Sequence, residues 1–366
     1  MNIAERARRV ATDFGGILPR AYTALAESGD WNALSPNGVR QFGEVALDEL
    51  ALSGLTLTAP PPRLERSIAS CAAIAAALTS DIAEAHADPT PLRVKSRRRR
   101  RFGRQRYEQL TFDHDPRLPE PLATEGFGGM ATAVVHLCRD DDDRRPWLVW
   151  VHGAGQGQPI DLLVSRARRI QDELGFNIAL PVQPGCGVRR SRWPRYPGMD
   201  PVGNVAGMMR AVSEVRAVVR WLRPQAEGIV VSGVSMGSPV AGLVSHLEPV
   251  DAVMVYTPIA GLNAMIAAHL GRWGPTVDDT AALLRSDPAR DLMSVVDYQA
   301  VVPTPPPHRR LIVGAWYDQM ARREPAQTLH RKWGGQLYWH RGSHVGHLLA
   351  PGVQAASEDF LRSVGR

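Results

Sequence analysis

Lysine is almost missing from this chain. Of 43 basic residues only Lys95 and Lys332 are lysines, set against 37 acidic residues, so the net charge of +6 is carried by arginine. That skew, together with abundant alanine, reads as GC-rich coding and not as fitness for an acidic partner. Cysteine is scarce too. Cys71, Cys138 and Cys186 are odd in number and far apart, which rules out a disulfide scaffold and fits reduced thiols in a cytoplasmic protein. No apolar stretch approaches the roughly 20 residues a membrane-spanning helix needs; the longest, about 68–78, is interrupted by Ser70. The N-terminal stretch MNIAERARRVATDFGG has charges but no apolar core or small-residue cleavage site, so no secretory signal is expected. What remains is an ordinary globular composition, with 44% hydrophobic and 22% charged residues in 366. That length is enough for two or three units by a prior of roughly 150 residues per domain.

Two grammars divide the chain. In residues 1–94 apolar side chains recur at three- or four-residue steps: Ile3, Ala7, Val10, Phe14, Leu18, Tyr22 and Leu25 form one stripe, the signature of a helix. Ser35-Pro36 is a helix start, and Val39, Phe42, Ala46 and Leu50 continue its stripe. A third helix is expected to carry Leu64, Ile68, Cys71, Ala75, Leu78 and Ile82. From 95 to 366 β-branched runs alternate with helical patterns, which predicts a mainly parallel sheet with helices on both faces. Eight strands are expected, at 107–112, 131–137, 147–151, 177–181, 228–232, 252–256, 311–314 and 336–339. The first strands are expected to form an antiparallel hairpin, with Asp140 to Asp143 at its turn. Between the two grammars stand five consecutive arginines, Arg97, Arg98, Arg99, Arg100 and Arg101. Such runs can bind nucleic acid or anionic lipid. No recognition helix or RNA-binding motif accompanies this one, so no nucleic-acid partner is expected. The run reads as a solvated domain junction, with weak peripheral membrane contact as the alternative.

The chemistry concentrates in four places. Gly233-Val234-Ser235-Met236-Gly237 is a G-x-S-x-G motif that follows a buried-strand pattern and precedes an apolar helix. A sharp strand-to-helix turn strains the serine backbone, and only small residues two positions either side avoid clashes. The turn lifts the Ser235 hydroxyl toward the amides of a helix N-terminus, where negative charge can develop. A second strand runs into His152-Gly153-Ala154-Gly155. Its glycines let backbone N–H groups face a substrate carbonyl. Ala154 is the first choice of donor there, with Gly155 the alternative and Met236 supplying the other N–H; His152 reads as a brace. A late strand ends in Ala-Trp-Tyr-Asp318, and the last strand runs into Gly342-Ser343-His344-Val345-Gly346-His347. The order Ser235, Asp318, His344 is that of an acyl-transfer triad on an open α/β sheet. His347, three residues on, is the fallback base, and no metal-ligand spacing is present. The loop at 184–197 carries Arg189, Arg190, Arg192 and Arg195, read as surface charge facing acids of the N-terminal helices, with an anion site as the alternative.

These residues resemble the α/β-hydrolase family over roughly 100–366, and most resemble bacterial members whose histidine lies in a Gly-Gly-His-x-Gly setting; Ser343 replaces the second glycine here. The resemblance implies a small-molecule acyl substrate, an ester or thioester, with Ser235 as nucleophile, His344 as base, Asp318 as orienting acid and no metal or organic cofactor. It also implies that the insertion at about 258–308 forms a helical cap, while the N-terminal helices lie outside the family's common core. Two alternatives share the fold: an acyltransferase using the same triad, and an inactive binding protein.

Overall fold

A computed structural model describes residues 3–58, 66–139, 144–273 and 277–365. The N-terminal part contains α1 (Ile3–Gly15), α2 (Ile17–Glu27), α3 (Pro36–Thr58), α4 (Ile68–Ala77) and α5 (Ile82–Ala85). Ser35 caps α3 as expected, its Oγ accepting from the Gly38 N–H at 2.9 Å. The expected third helix is instead two. Leu78 is extended, and Asp81 starts a new helix by accepting from the N–H groups of Ala83 and Glu84; Leu64 lies outside the described residues.

Among the described residues nine strands follow, one more than expected: β1 (Val94–Phe102), β2 (Gln105–His114), β3 (Ala131–Cys138), β4 (Trp147–Val151), β5 (Asn177–Val182), β6 (Ile229–Val234), β7 (Ala252–Tyr256), β8 (Arg310–Ala315) and β9 (Gln336–His340). They form one sheet in the order β1-β2-β3-β5-β4-β6-β7-β8-β9. The extra strand is the arginine run. Arg97 to Arg101 are not a linker: they pair antiparallel with β2 at the outer edge of the sheet. The reason lies in what an edge strand tolerates. It needs one ladder of backbone bonds and leaves its side chains in water, and charge there discourages pairing with other chains. The expected hairpin is corrected too. β3 pairs antiparallel with β2 and β5, while β4 is parallel to β5 and β6, so the strands flanking Asp140 to Asp143 are not neighbours. The aspartates themselves lie outside the described residues.

From β4 to β9 the strands are parallel, and each is apolar on both sides. Trp147, Val149 and Val151 join one core, while Leu148 and Trp150 join the other. This is the pattern of a sheet covered on two faces. The helices between and after the strands supply the covers. They are α6 (Glu120–Ala123), α7 (Asp161–Val164), α8 (Ala167–Leu174), α9 (Pro201–Leu222), α10 (Gly237–Leu247), α11 (Leu262–His269), α12 (Asp278–Arg285), α13 (Asp287–Leu292), α14 (Glu324–Trp333) and α15 (Pro351–Val364). Residues of α9 and α10 pack in the first core, and those of α8 and α15 in the second. Asp200 caps α9 ahead of Pro201, its side chain accepting from the N–H groups of Val202 and Gly203. The stretch between β7 and β8 carries α11, α12 and α13. Among the described residues no helix is long and apolar enough to cross a membrane.

Arginine 189, read from sequence as surface charge, is buried. Its guanidinium holds Glu214 of α9 through two bonds of 2.6 and 2.8 Å, and Arg210 reaches the same carboxylate at 2.8 Å. Neither the N-terminal helices nor a free anion site explains it. A buried carboxylate between two guanidiniums fixes the 184–197 loop onto the core.

Candidate active site

Ser235 sits where β6 turns into α10, with a φ of 52°, in the left-handed region that side chains normally avoid. Three contacts hold it there. The Ser235 N–H donates to the Tyr256 carbonyl at 2.9 Å, the Ser238 N–H donates to the Ser235 carbonyl at 2.9 Å, and buried Ser238 Oγ lies 3.1 Å from the carbonyl oxygens of both Gly233 and Tyr256. The glycines are a steric necessity. A Cβ on Gly237 would come within 2.2 Å of the Val151 carbonyl oxygen, and one on Gly233 within 2.2 Å of the Gly237 carbonyl oxygen. Both obstacles are backbone atoms and cannot rotate away. Gly237→Ala should therefore cost about 3 kcal/mol or more, beyond an ordinary overpacking change, which chemical denaturation would read as a lowered midpoint.

The loop after β4 abuts the serine: a Cβ on Gly153 would lie 3.2 Å from Ser235 Cβ. His152 is a brace. Its Nε2 accepts from the Gln183 N–H at 3.0 Å, and its carbonyl accepts from the Gln183 side chain at 2.5 Å. The ring proton therefore sits on Nδ1, facing the Gly153 carbonyl at 2.8 Å, and complete burial pushes its pKa down to about 4. The Gly153 N–H is spent on Gln156 Oε1 at 2.6 Å. The N–H groups of Ala154 and Met236 meet no acceptor among the described residues. Gly155 lies at the exposed tip of the loop with a φ of 77°.

Asp318 and His344 come together. His344 Nδ1 lies 2.7 Å from Asp318 Oδ2, and Asp318 Oδ1 accepts from the N–H groups of Met320 and Ala321 at 2.7 and 2.8 Å. Both side chains are buried, and Nε2 of His344 has no partner among the described residues. Burial alone would lower the His344 pKa, but the charge and hydrogen bond of Asp318, with the charge of Asp48, outweigh it and raise it. His347 is placed differently. Its Nδ1 bonds the His344 carbonyl, its ring stacks on Tyr256 at 5.9 Å, and burial drives its pKa down to about 3. Ser235, Asp318 and His344 follow the carboxyl ends of β6, β8 and β9, within four consecutive parallel strands. Ligands of open α/β sheets bind at that edge.

Sequence reasoning missed the residues that α3 brings to this edge. Asp48 is fully buried against the loops of Asp318 and His344, and Glu44 accepts from the Ser343 N–H at 3.1 Å and pairs with His340 Nε2 at 2.8 Å. The expected stripe marks a different face of α3: Val39 and Leu50 are exposed and Phe42 and Ala46 half-buried, while Gln41, Val45, Asp48 and Glu49 are the buried ones. One signal was available: Ser343, which departs from the glycine of the resembling motif, is where the helix attaches. Its hydroxyl lies 2.8 Å from both the Glu44 carbonyl and Asp48 Oδ1.

No protein-family model matches the chain. By sequence it is similar to the uncharacterized proteins MT2702 and Rv2627c of two Mycobacterium tuberculosis strains, each 31% identical over 292 residues that cover 76% of this chain and 70% of the relative. Among solved structures it is similar to an acetyl xylan esterase from Paenibacillus sp. R4, with a TM-score of 0.53 and 16% identity over 83% of this chain and 96% of that one. It is also similar to acetyl xylan esterase 1 from Thermoanaerobacterium sp. JW/SL YS485, with a TM-score of 0.53 and 13% identity over 84% and 96%. At such identities the likeness is one of fold.

Proposed function

We propose that this chain, whose fold is that of the α/β-hydrolases and is shared with the two acetyl xylan esterases, is a serine hydrolase that cleaves a carboxylic ester or thioester through an acyl-enzyme on Ser235. One observation carries this reading: a buried imidazole tied to a carboxylate at 2.7 Å, with its second nitrogen unspent, at the sheet edge that bears a strained serine. Asp318 accepts the Nδ1 proton and so leaves the lone pair on Nε2, the form a general base needs. In the proposed reaction Ser235 Oγ attacks the acyl carbon while His344 Nε2 takes its proton. The carbonyl electron pair moves to oxygen, where the N–H groups of Ala154 and Met236 receive it. Collapse returns that pair, expels the alcohol or thiol, and His344 protonates the leaving group. Water, deprotonated by His344, then repeats the cycle to release the acid. The helices between β7 and β8 would act as the cap that shapes the acyl pocket. The two acetyl xylan esterases of like fold make a short acyl group the first to try.

Labelling with a fluorophosphonate tests this reading and separates it from an inactive binding protein. The expected result is a single adduct, mapped by peptide mass spectrometry to Ser235; a folded protein that takes no label overturns it. The pH profile gives a second check. His344 must be neutral to act, and its pKa is raised above the ordinary 6.5. Hydrolysis of 4-nitrophenyl acetate should therefore have a kcat/KM that is full at alkaline pH and falls as the pH drops through a value above 6.5.

A further inference from the structure

The two loops that carry the proposed acid and base are fastened from outside the sheet, by one side chain. Asp48, from α3, uses both carboxylate oxygens. Oδ1 accepts from the Val345 N–H at 2.8 Å and faces Ser343 Oγ at 2.8 Å; Oδ2 accepts from the His344 N–H at 2.9 Å and the Gln319 N–H at 3.2 Å. Gln319 follows Asp318 directly, so a single buried group is bonded to the neighbour of the acid and to the base itself. Glu44, one turn earlier, secures the same histidine loop through Ser343. We propose that Asp48 is a positioning residue for the reaction at Ser235, setting the geometry of the Asp318–His344 pair and placing a second negative charge beside the imidazole. The inference rests on the hydrolase reading.

Its chemistry differs from that of a simple tether. Burial and the neighbouring Asp318 push the Asp48 carboxyl up to about 6, with the His344 charge and the N–H groups of Val345 and His344 acting the other way. Asp318 and His344 are thus the titratable groups that face Asp48, while Asp318, Asp48 and His347 face His344. Above that pH Asp48 is an anion that favours the imidazolium formed when Ser235 gives up its proton. Two carboxylates flanking one imidazole would make it a stronger base and hold it still. A misplacement of about 1 Å at such a site can cost a hundredfold in rate.

Asp48→Asn keeps the shape, removes the charge and turns one acceptor into a donor that faces N–H groups. With 4-nitrophenyl acetate, kcat at alkaline pH should fall about 10- to 100-fold and KM should stay within about twofold. The acid limb should move to lower pH, because the lost charge had held the His344 pKa up. Ser343→Ala keeps the charge and removes the hydroxyl that meets Asp48 Oδ1, the Glu44 carbonyl and the Gly346 N–H, so it should lower kcat by less than tenfold without moving that limb. A folded Asp48→Asn enzyme with wild-type kcat overturns the inference. So does one with a lowered kcat and an unmoved acid limb, since that marks a structural tether only. Should Asp48→Asn fail to fold, Ser343→Ala decides: a loss in kcat at constant KM supports positioning, and wild-type kinetics oppose it. Fluorophosphonate labelling of the wild type runs in parallel. If Ser235 labels and the variants behave as wild type, this inference alone fails; if Ser235 does not label, the hydrolase reading falls and takes the inference with it.

Discussion

Ser235→Ala should abolish ester hydrolysis, with kcat falling by about 10⁵- to 10⁶-fold, the scale seen when the nucleophile of a serine triad is removed. The fold should survive. The elbow is held by backbone bonds to Tyr256 and by the Ser238 side chain, none of which uses the Ser235 hydroxyl. Thermal denaturation and circular dichroism should therefore match the wild type, and fluorophosphonate labelling should vanish. A variant that stays folded and keeps more than about a hundredth of the rate would move the chemistry to another group, because no partly impaired triad retains that much without its nucleophile.

Asp318→Asn should lower kcat by about 10⁴-fold while the protein remains folded, for a reason that can be read from hydrogen-bond directions. Oδ1 of Asp318 accepts from two backbone N–H groups, while Oδ2 faces His344 Nδ1. An asparagine keeps its oxygen toward those two donors, which puts its amide NH₂ against the imidazole. His344 must then accept at Nδ1 and carry its proton on Nε2, the tautomer that cannot deprotonate serine. The same experiment tests the choice of base. His347 has its Nδ1 on the His344 carbonyl and its ring against Tyr256, so an enzyme that used His347 would feel the substitution little. Steady-state kinetics on 4-nitrophenyl acetate decide it: a loss below tenfold would exclude the Asp318–His344 pairing from the rate.

How much of this was legible in the sequence follows from what is local and what is not. The serine elbow is local. Its glycines answer to backbone atoms at Val151 and Gly237 that come within 2.2 Å, and a five-residue pattern records that need. Asp318 and His344 were legible for a related reason, since each follows a strand of a parallel sheet whose carboxyl edge collects ligands. Pairing order is not local. Nothing in the run around Asp140 to Asp143 says that β5 comes between β3 and β4, and the hairpin expectation failed there. The arginine run failed for another reason: an outer strand in water has no apolar alternation to betray it. Arg189 was misread because its counter-charge, Glu214, lies on a helix that sequence could not bring near. Asp48 was invisible for the same reason. Its helix showed an apolar stripe, yet Val39 and Leu50 of that stripe are exposed while Asp48 and Glu49 are buried, and apolar spacing cannot announce a carboxylate that holds the loops of Asp318 and His344.

The central claim is that three side chains remote in sequence share one reaction centre. A crystal structure of the protein phosphonylated on Ser235 tests it most directly. His344 Nε2 is expected within hydrogen-bond reach, roughly 2.6–3.2 Å, of an oxygen on the adduct, with the phosphoryl oxygen held between the N–H groups of Ala154 and Met236. An adduct whose oxygens meet neither His344 nor those two amides would contradict it.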